Sequence, residues 1–307
     1  MTKLRSQSGQ ATVLTVLFLV VLVGITGAVL DVGAWFRGDR DLQADSDAAA
    51  LAGAQFLPED PAAATAAAVQ YGDKNGGGVD TGDVSITSKT LPGDTIVVDT
   101  ERNVDGVFTG LFGIESVEVH GHAAARAGNP SSALWVAPIV VNEKHPMLTC
   151  SPRPCFGQST MLEYHHLKAN GPSGPDGPGS FGFINLLGNE NPGTSDLRDQ
   201  ILRGFDKYMD VGTYQARTGN PFSAIKDALD ARMGEEMLFP VYRKLNGTGS
   251  NAKYDIIGWV GFVITSMNLS GNNEKFYGYF TRVIWEGIMS EDPTTPDFGV
   301  RIVALVE

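Results

Sequence analysis

Residues 11–30 read ATVLTVLFLVVLVGITGAVL and are followed directly by Asp31-Val32-Gly33. The run contains no charged residue, and its only polar side chains are those of Thr12, Thr15 and Thr26. At ~1.5 Å per helical residue it spans roughly 30 Å, which is the thickness of a bilayer's hydrocarbon core. The sequence therefore predicts one transmembrane helix over residues 11–30, with the lipid bilayer as its surroundings.

The charges before this run indicate its orientation. Lys3 and Arg5 precede it without any acidic residue, and basic flanks stay on the cytoplasmic side. A cleaved secretory signal is the alternative, but its apolar region is usually about 7 to 15 residues, and Thr26 with Ala28 makes a poor cleavage site. We expect a single-pass protein of the cell membrane, with its N-terminus cytoplasmic and the bulk of the chain exterior.

The composition limits the partners of the exterior part. The 307-residue chain has a formal net charge of −12, and Lys3 and Arg5 are its only charged residues before Asp31. The exterior is therefore more acidic still, so it repels phosphate backbones and we expect no nucleic-acid partner. Thirty-seven glycines predict many turns and β structure in the exterior part.

A regular apolar stripe follows the membrane run. Trp35, Leu42, Ala49 and Phe56 recur every seven residues, while charged side chains occupy the other faces of the same helix. The small residues between positions 48 and 54 would let another backbone approach closely. These four residues are predicted to be a helix-packing face, which docks either on the chain's own exterior domain or on another subunit.

The fold class predicted for the whole chain is α+β, with a transmembrane helix that extends into a long exterior helix and then β-rich domains. Residues 1–57 form the anchor, residues 58–128 a small α+β region, and residues 133–307 a β-rich α+β domain. Asp60 and Pro61 begin a second helix that reaches residue 71. Further helices are predicted at 195–205 and 223–233, a helical turn at 107–112, and strands at 84–87, 95–99, 117–122, 134–141, 181–187, 238–241, 254–264, 276–284 and 299–306.

Two cysteines lie close together in Cys150-Ser151-Pro152-Arg153-Pro154-Cys155. In an oxidising exterior, an even count favours a disulfide between Cys150 and Cys155. Two unpaired thiols are one alternative. A metal site that also uses Glu163, His165 and His166 is another, although adjacent histidines on one segment point in different directions.

The sequence lacks the familiar catalytic motifs. It has no G-x-S-x-G, H-E-x-x-H, phosphate-binding loop or G-x-G-x-x-G at a helix start. His120 and His122 share one strand face without a recognisable third ligand, which is typical of an exposed polar face. We therefore predict no catalytic, cofactor-binding or metal-binding residues, no cofactor, and no enzymatic activity.

Residues 9–54 resemble a known family. Gly9-Gln10-Ala11, the apolar run, Asp31-Val32-Gly33, Leu42-Gln43 and the DAAALAGA stretch at 47–54 are similar to the N-terminal domain of the TadE/TadG-like proteins of the Flp pilus (tight adherence) assembly system. The resemblance implies a bacterial, membrane-anchored, non-catalytic component of a Flp/Tad-type pilus assembly or secretion apparatus. Its partners would be other pilus-assembly or secretion proteins, or further copies of itself.

One departure from the pilin pattern bears on this role. Pilins of this system are cut after a glycine and carry a glutamate five residues beyond it, whereas here Gly9 is followed at that distance by Leu14. The resemblance therefore implies an uncut accessory protein of the TadG-like kind. The alternative function is a membrane-tethered extracellular binding module, which would recognise its ligand through the loop 143–180 and its three Gly-Pro-X triplets.

Overall fold

The computed structural model describes residues 8–76, 78–151, 154–165, 177, 179–188, 193–270 and 274–306. The chain divides into two compact units, unit 1 with Met1–Arg126 and Ala304–Glu307, and unit 2 with Ala127–Val303. A long N-terminal apolar helix precedes several β-sheets, so the predicted α+β class is confirmed. Lys3, Arg5, His166 and most of the Gly-Pro-X segment lie outside the described residues.

Unit 1 combines two long helices with an antiparallel sheet. Its elements are α1 (Ser8–Ala54), α2 (Pro61–Asn75), β1 (Val84–Thr87), β2 (Thr95–Asp105), β3 (Ser116–Gly128), and 3-10 turns at Thr81–Asp83 and Thr109–Phe112. Strand β2 lies between β1 and β3, in a register that places Thr95 opposite Arg126 and Asp105 opposite Ser116. Near the chain end, the Val306 N–H donates to the Ala124 carbonyl at 2.8 Å.

Helix α1 changes character along its length. Over residues 11–30 nearly every side chain is exposed, whereas from Asp31 onward one face is buried. The helix contains a stretch long and apolar enough to cross a membrane. The predicted continuation of the membrane run into a polar, alanine-rich helix is confirmed, because α1 is one uninterrupted helix of 47 residues.

The start of α2 agrees with the sequence prediction. The Asp60 side chain accepts a hydrogen bond from the Ala63 N–H at 2.9 Å, and Pro61 occupies the first turn. Such a cap satisfies one of the backbone donors that a helix start leaves without a partner. The helix runs to Asn75, four residues beyond the predicted end.

Unit 2 contains a ring of paired strands. Strands β10, β5, β7, β6, β12 and β11 pair in this order, β11 pairs again with β10, and β9 adds to β11. The elements are β4 (Pro130–Ala133), β5 (Ile139–Asn142), α3 (Pro146–Thr149), β6 (Thr160–Tyr164), β7 (Ser180–Phe183), α4 (Thr194–Arg203), β8 (Met209–Asp210), β9 (Gly212–Gln215), α5 (Phe222–Ala231), β10 (Glu236–Asn246), a 3-10 turn (Gly249–Asn251), β11 (Lys253–Asn268), β12 (Lys275–Thr281), β13 (Val283–Ile284), β14 (Gly287–Met289) and β15 (Val300–Leu305).

The strand predicted at 134–141 is shorter than expected. Only Ile139–Asn142 forms a strand. Pro138 has no N–H to donate to a ladder, and Trp135 has a φ of 55°, in the left-handed region that interrupts an extended chain. The two helices predicted near residues 195 and 223 are confirmed as α4 and α5.

Candidate functional site

Asp31 lies at the end of the apolar run and is only 3% exposed. Its carboxylate accepts hydrogen bonds from the Val107 N–H at 3.1 Å and the Phe108 N–H at 2.7 Å. The Thr109 N–H and Thr109 Oγ1 donate to it at 2.6 and 2.8 Å. One carboxylate on α1 therefore holds the backbone of a segment more than seventy residues later in the chain.

The protonation of Asp31 follows from these contacts. Burial by itself raises the pKa of this carboxyl, but the hydrogen bonds from Thr109, Phe108 and Val107 outweigh burial and hold the pKa below its ordinary value of 3.8. Hydrogen bonds to a carboxylate stabilise its charged form. Asp31 is therefore ionised at neutral pH, and as an ion it is the stronger acceptor.

The segment that Asp31 holds comprises residues 106–114, which we name the apolar turn. It contains Val107, Phe108, Leu111, Phe112 and Ile114 and no charged residue. The ring of Phe108 lies directly on the backbone of Gly27, because a Cβ added there would be 2.5 Å from Phe108 Cγ. Phe112 Cζ is 3.8 Å from the corresponding position at Gly24. The apolar turn thus lies beside α1 at the level of residues 24–27.

Beyond Asp31, the predicted helix-packing face lies against elements of unit 1. Leu42 and Ala49 are fully buried, Trp35 is half-buried, and Phe56 is 44% exposed. Polar contacts accompany this burial. Ser46 Oγ is 2.8 Å from Thr100 Oγ1, Gln43 Nε2 donates to the His122 carbonyl at 2.7 Å, and Arg102 forms an ion pair with Asp45 at 3.5 Å. These residues bind the half of α1 that follows Asp31 to β2 and β3.

The histidines of β3 face exposed acidic side chains. Glu101, Glu118 and His120 each bring one potential ligand atom within 4.8 Å of the others, and all three are exposed. His122 instead pairs with Asp99 across the β2–β3 register. Sequence reasoning missed these cross-strand partners, because the register of β2 against β3 is needed to find them. Exposed groups of this kind are common without an ion.

The two cysteines lie in unit 2 and are joined in the structure. The Cα atoms of Cys150 and Cys155 are 6.0 Å apart, within the usual range for a disulfide.

His145 precedes the cysteines and caps α3, since its Nδ1 accepts the Met147 N–H at 3.1 Å. Burial lowers the pKa of His145, and the Met161 carbonyl offsets this only in part. The neutral imidazole is the form that can accept the hydrogen bond.

His165, a candidate ligand in the metal alternative, lies in the core of unit 2. Its Nε2 is 2.6 Å from the Tyr254 hydroxyl, and both residues are buried. Burial raises the pKa of Tyr254 well above 10.0, with a further contribution from Tyr242 and Tyr164. Glu163 is on β6, paired in register with Lys275 and Ser180. These contacts make His165 part of the packed core of unit 2.

The link between Asp31 and the apolar turn is a contact that the sequence does not predict. A signal for the apolar turn itself exists, because five apolar residues lie between Asp105 and Glu115 without a charge. Residues 107–112 were predicted only as a helical turn, and the structure has a 3-10 turn at Thr109–Phe112. The partner of this turn is far away in the sequence, so no local pattern identifies it.

Comparison with known families agrees with the resemblance at the N-terminus. Residues 9–55 match the family model Tad, described as Flp pilus-assembly TadE/G-like. The match covers all but the first residue of α1 and ends one residue beyond it. No curated protein and no solved structure matches the chain.

Proposed function

We propose that this chain is a membrane-anchored, non-catalytic component of a Flp/Tad-type pilus assembly or secretion apparatus. The observation that carries the proposal is the match of residues 9–55 to the Tad family, which falls on helix α1 and its exposed apolar side chains. The chain crosses the cell membrane once, with its N-terminus in the cytoplasm and residues 31–307 outside.

The exposure of α1 supports anchoring. Leu14, Phe18 and Val20 have 67%, 63% and 63% of their surface exposed, and their neighbours on every side of the helix are similar. A helix that is apolar all round needs apolar surroundings, and a contiguous exposed surface of this kind marks an interaction site or a membrane span. Inserting the run into a bilayer removes this surface from water.

The continuity of α1 supports an assembly role. The helix extends over 47 residues, roughly 70 Å at ~1.5 Å per residue, and carries the apolar run directly into unit 1. A flexible linker after the anchor would leave the position of the following domain variable. A continuous helix that is packed on its own sheet instead fixes unit 1 relative to the anchor, which suits a protein that must hold partners at a defined height.

The proposal is tested in the native cell with the full-length chain. Removing the chain should abolish Flp pili and surface adherence, and restoring the wild-type chain should recover both. The chain purified in detergent from native membranes should bring other pilus-assembly proteins with it. Normal pili in its absence, together with purification free of assembly proteins, would contradict the proposal and favour the tethered binding module.

A further inference from the structure

We infer that the apolar turn, residues 106–114, inserts into the outer leaflet of the membrane that α1 crosses and contacts its lipid acyl chains as a second anchor. The inference rests on the anchoring of α1 in the proposed function. It adds a membrane contact that is distant in sequence from residues 11–30, and it gives Asp31 a role in placing that contact.

The side chains of the apolar turn are exposed to an unusual degree. Val107, Leu111 and Phe112 are 77%, 84% and 71% exposed, and Ile114 is also exposed. Exposed apolar residues scattered singly are ordinary on a protein surface, but a cluster on one short turn marks an interaction site. Transfer of such side chains from water to lipid is favourable in proportion to the apolar area removed from water.

The position of the turn along α1 indicates that lipid covers its exposed side chains. Phe108 lies on Gly27 and Phe112 next to Gly24, and both glycines belong to the run that crosses the bilayer. At ~1.5 Å per residue, Gly27 and Gly24 are roughly 5 and 9 Å below Leu30 along the helix axis. Interfacial elements bury their apolar face about 5–10 Å into the boundary between headgroups and acyl chains. The exposed side chains are therefore at acyl-chain depth wherever α1 is inserted.

Most of the backbone N–H groups of the turn have hydrogen-bond partners inside the protein. Peptide groups that face lipid must find partners inside the protein, since water is absent there. Asp31 accepts from the N–H groups of residues 107–109. The N–H groups of residues 106, 111, 113 and 114 donate to backbone carbonyls of residues 108–115. These bonds let a non-helical segment enter the apolar layer.

The flanking charges limit the depth of insertion. Asp105 and Glu115 bracket the turn, and both are exposed. A charged side chain is costly inside the hydrocarbon layer, so these two residues stay at the headgroup level while the residues between them enter. The attraction is apolar rather than electrostatic, because the exterior carries net negative charge. The turn should therefore insert equally into an uncharged bilayer.

The test uses the full-length protein reconstituted into phosphatidylcholine vesicles. Single thiols are introduced by Leu111→Cys in the turn, Val20→Cys in the middle of the anchor and Thr87→Cys at an exposed position of β1. Each thiol is labelled with a fluorophore. No reductant is used, so that the Cys150–Cys155 disulfide stays intact. Quenching is measured with lipids brominated near the headgroup end, with lipids brominated near the acyl terminus, and with aqueous iodide. All three positions are exposed and should tolerate the change.

We expect the Leu111→Cys label to lose fluorescence mainly with the shallow bromine and to be protected from iodide. The Val20→Cys label should respond mainly to the deep bromine, and the Thr87→Cys label only to iodide. Lipid quenching at Val20→Cys with iodide quenching at Leu111→Cys would overturn this inference and leave the anchor intact. Protection of Leu111→Cys from every quencher would also overturn it, because a protein partner or second copy would then cover the turn. Iodide quenching at Val20→Cys would overturn the anchor itself.

Discussion

Asp31 and Asp94 show the same use of a buried carboxylate in unit 1. Asp94 accepts the N–H groups of Lys89 and Thr90 at 2.8 Å and that of Leu91 at 2.7 Å. The Thr95 hydroxyl donates to it at 2.7 Å. Asp94 thereby fixes the turn that leads from β1 into β2, as Asp31 fixes the apolar turn between β2 and β3.

Asp94 should make the stability of unit 1 depend on pH. Burial raises the pKa of Asp94, but the hydrogen bonds from Leu91, Lys89, Thr95 and Thr90 prevail and lower the pKa below 3.8. A carboxyl with a depressed folded-state pKa stabilises the fold above its unfolded-state pKa, and this contribution is lost as the pH falls through the folded-state value. The loss therefore occurs below about pH 4.

We expect Asp94→Asn to lower the free energy of unfolding at pH 7 by about 1–3 kcal/mol, since the amide has one acceptor oxygen for several donors. The variant should also show a shallower loss of stability between neutral pH and pH 3. Denaturant unfolding of the full chain in detergent at several pH values measures both effects. Identical pH slopes for the two proteins would show that Asp94 does not provide this dependence.

Asp31→Asn should release the apolar turn. The amide is uncharged and keeps only one acceptor oxygen, while its NH2 group faces the other donors. The N–H groups of residues 107–109 therefore lose their charged acceptor and part of their hydrogen bonding. We expect faster hydrogen exchange of these three amides, with unchanged exchange in β2 near Ile96. Asp39→Asn, an exposed change on the same helix, is the matched control and should leave the turn as it is. Unchanged exchange at residues 107–109 in Asp31→Asn would contradict the role of the carboxylate.

At the scale of elements, the half of α1 that follows Asp31 is a core helix of unit 1. Ala49 is fully buried and Asp41 is exposed, although both lie on the same helix. Ala49→Glu should therefore cost about 3–5 kcal/mol, the range for an uncompensated buried charge, and should disrupt unit 1. Asp41→Lys should change stability by less than ~0.5 kcal/mol.

Limited proteolysis of the two full-length variants in detergent measures this difference. The Ala49→Glu chain should be cut rapidly within residues 31–126, and the Asp41→Lys chain should resist as the wild type does. Equal resistance would mean that the face of Ala49 is open in solution. In that case, docking on another subunit would explain the stripe better than packing within unit 1.

The sequence identified α1 because its two halves have clear patterns. Twenty uncharged residues predict the first half, and the spacing of Trp35, Leu42 and Ala49 predicts a buried face on the second. The spacing does not reveal what covers that face, since the same stripe serves a coiled-coil partner or a sheet of the same chain. Besides α2, the elements that pack on this half of α1 are β2 and β3, which are some fifty to eighty residues away in the sequence.

The least predictable features depend on contacts between distant residues. The capped start of α2 is local, so Asp60 and Pro61 were sufficient to predict it. The bonds from residues 107–109 to Asp31 and the pairing of β10 with both β5 and β11 require the three-dimensional arrangement. The strand predicted at 134–141 is likewise interrupted at Trp135 by a positive φ, and the apolar residues of the sequence do not predict that conformation.

At the scale of the whole molecule, the proposed function places one apolar helix in the membrane and the 277 following residues outside it. Everything proposed for the chain depends on that assignment. The anchor must be retained, because a cleaved signal would leave unit 1 without residues 11–30. The absence of a pilin-like glutamate at Leu14 leads us to expect that Gly9 also remains uncut.

The most direct test is an alkaline wash of native membranes, followed by intact-mass measurement of the chain in the pellet and in the supernatant. We predict that the chain stays in the membrane pellet with residues 1–30 attached. Release of the chain into the supernatant, or a mature protein that begins beyond residue 30, would contradict the central claim that this helix anchors the exterior units.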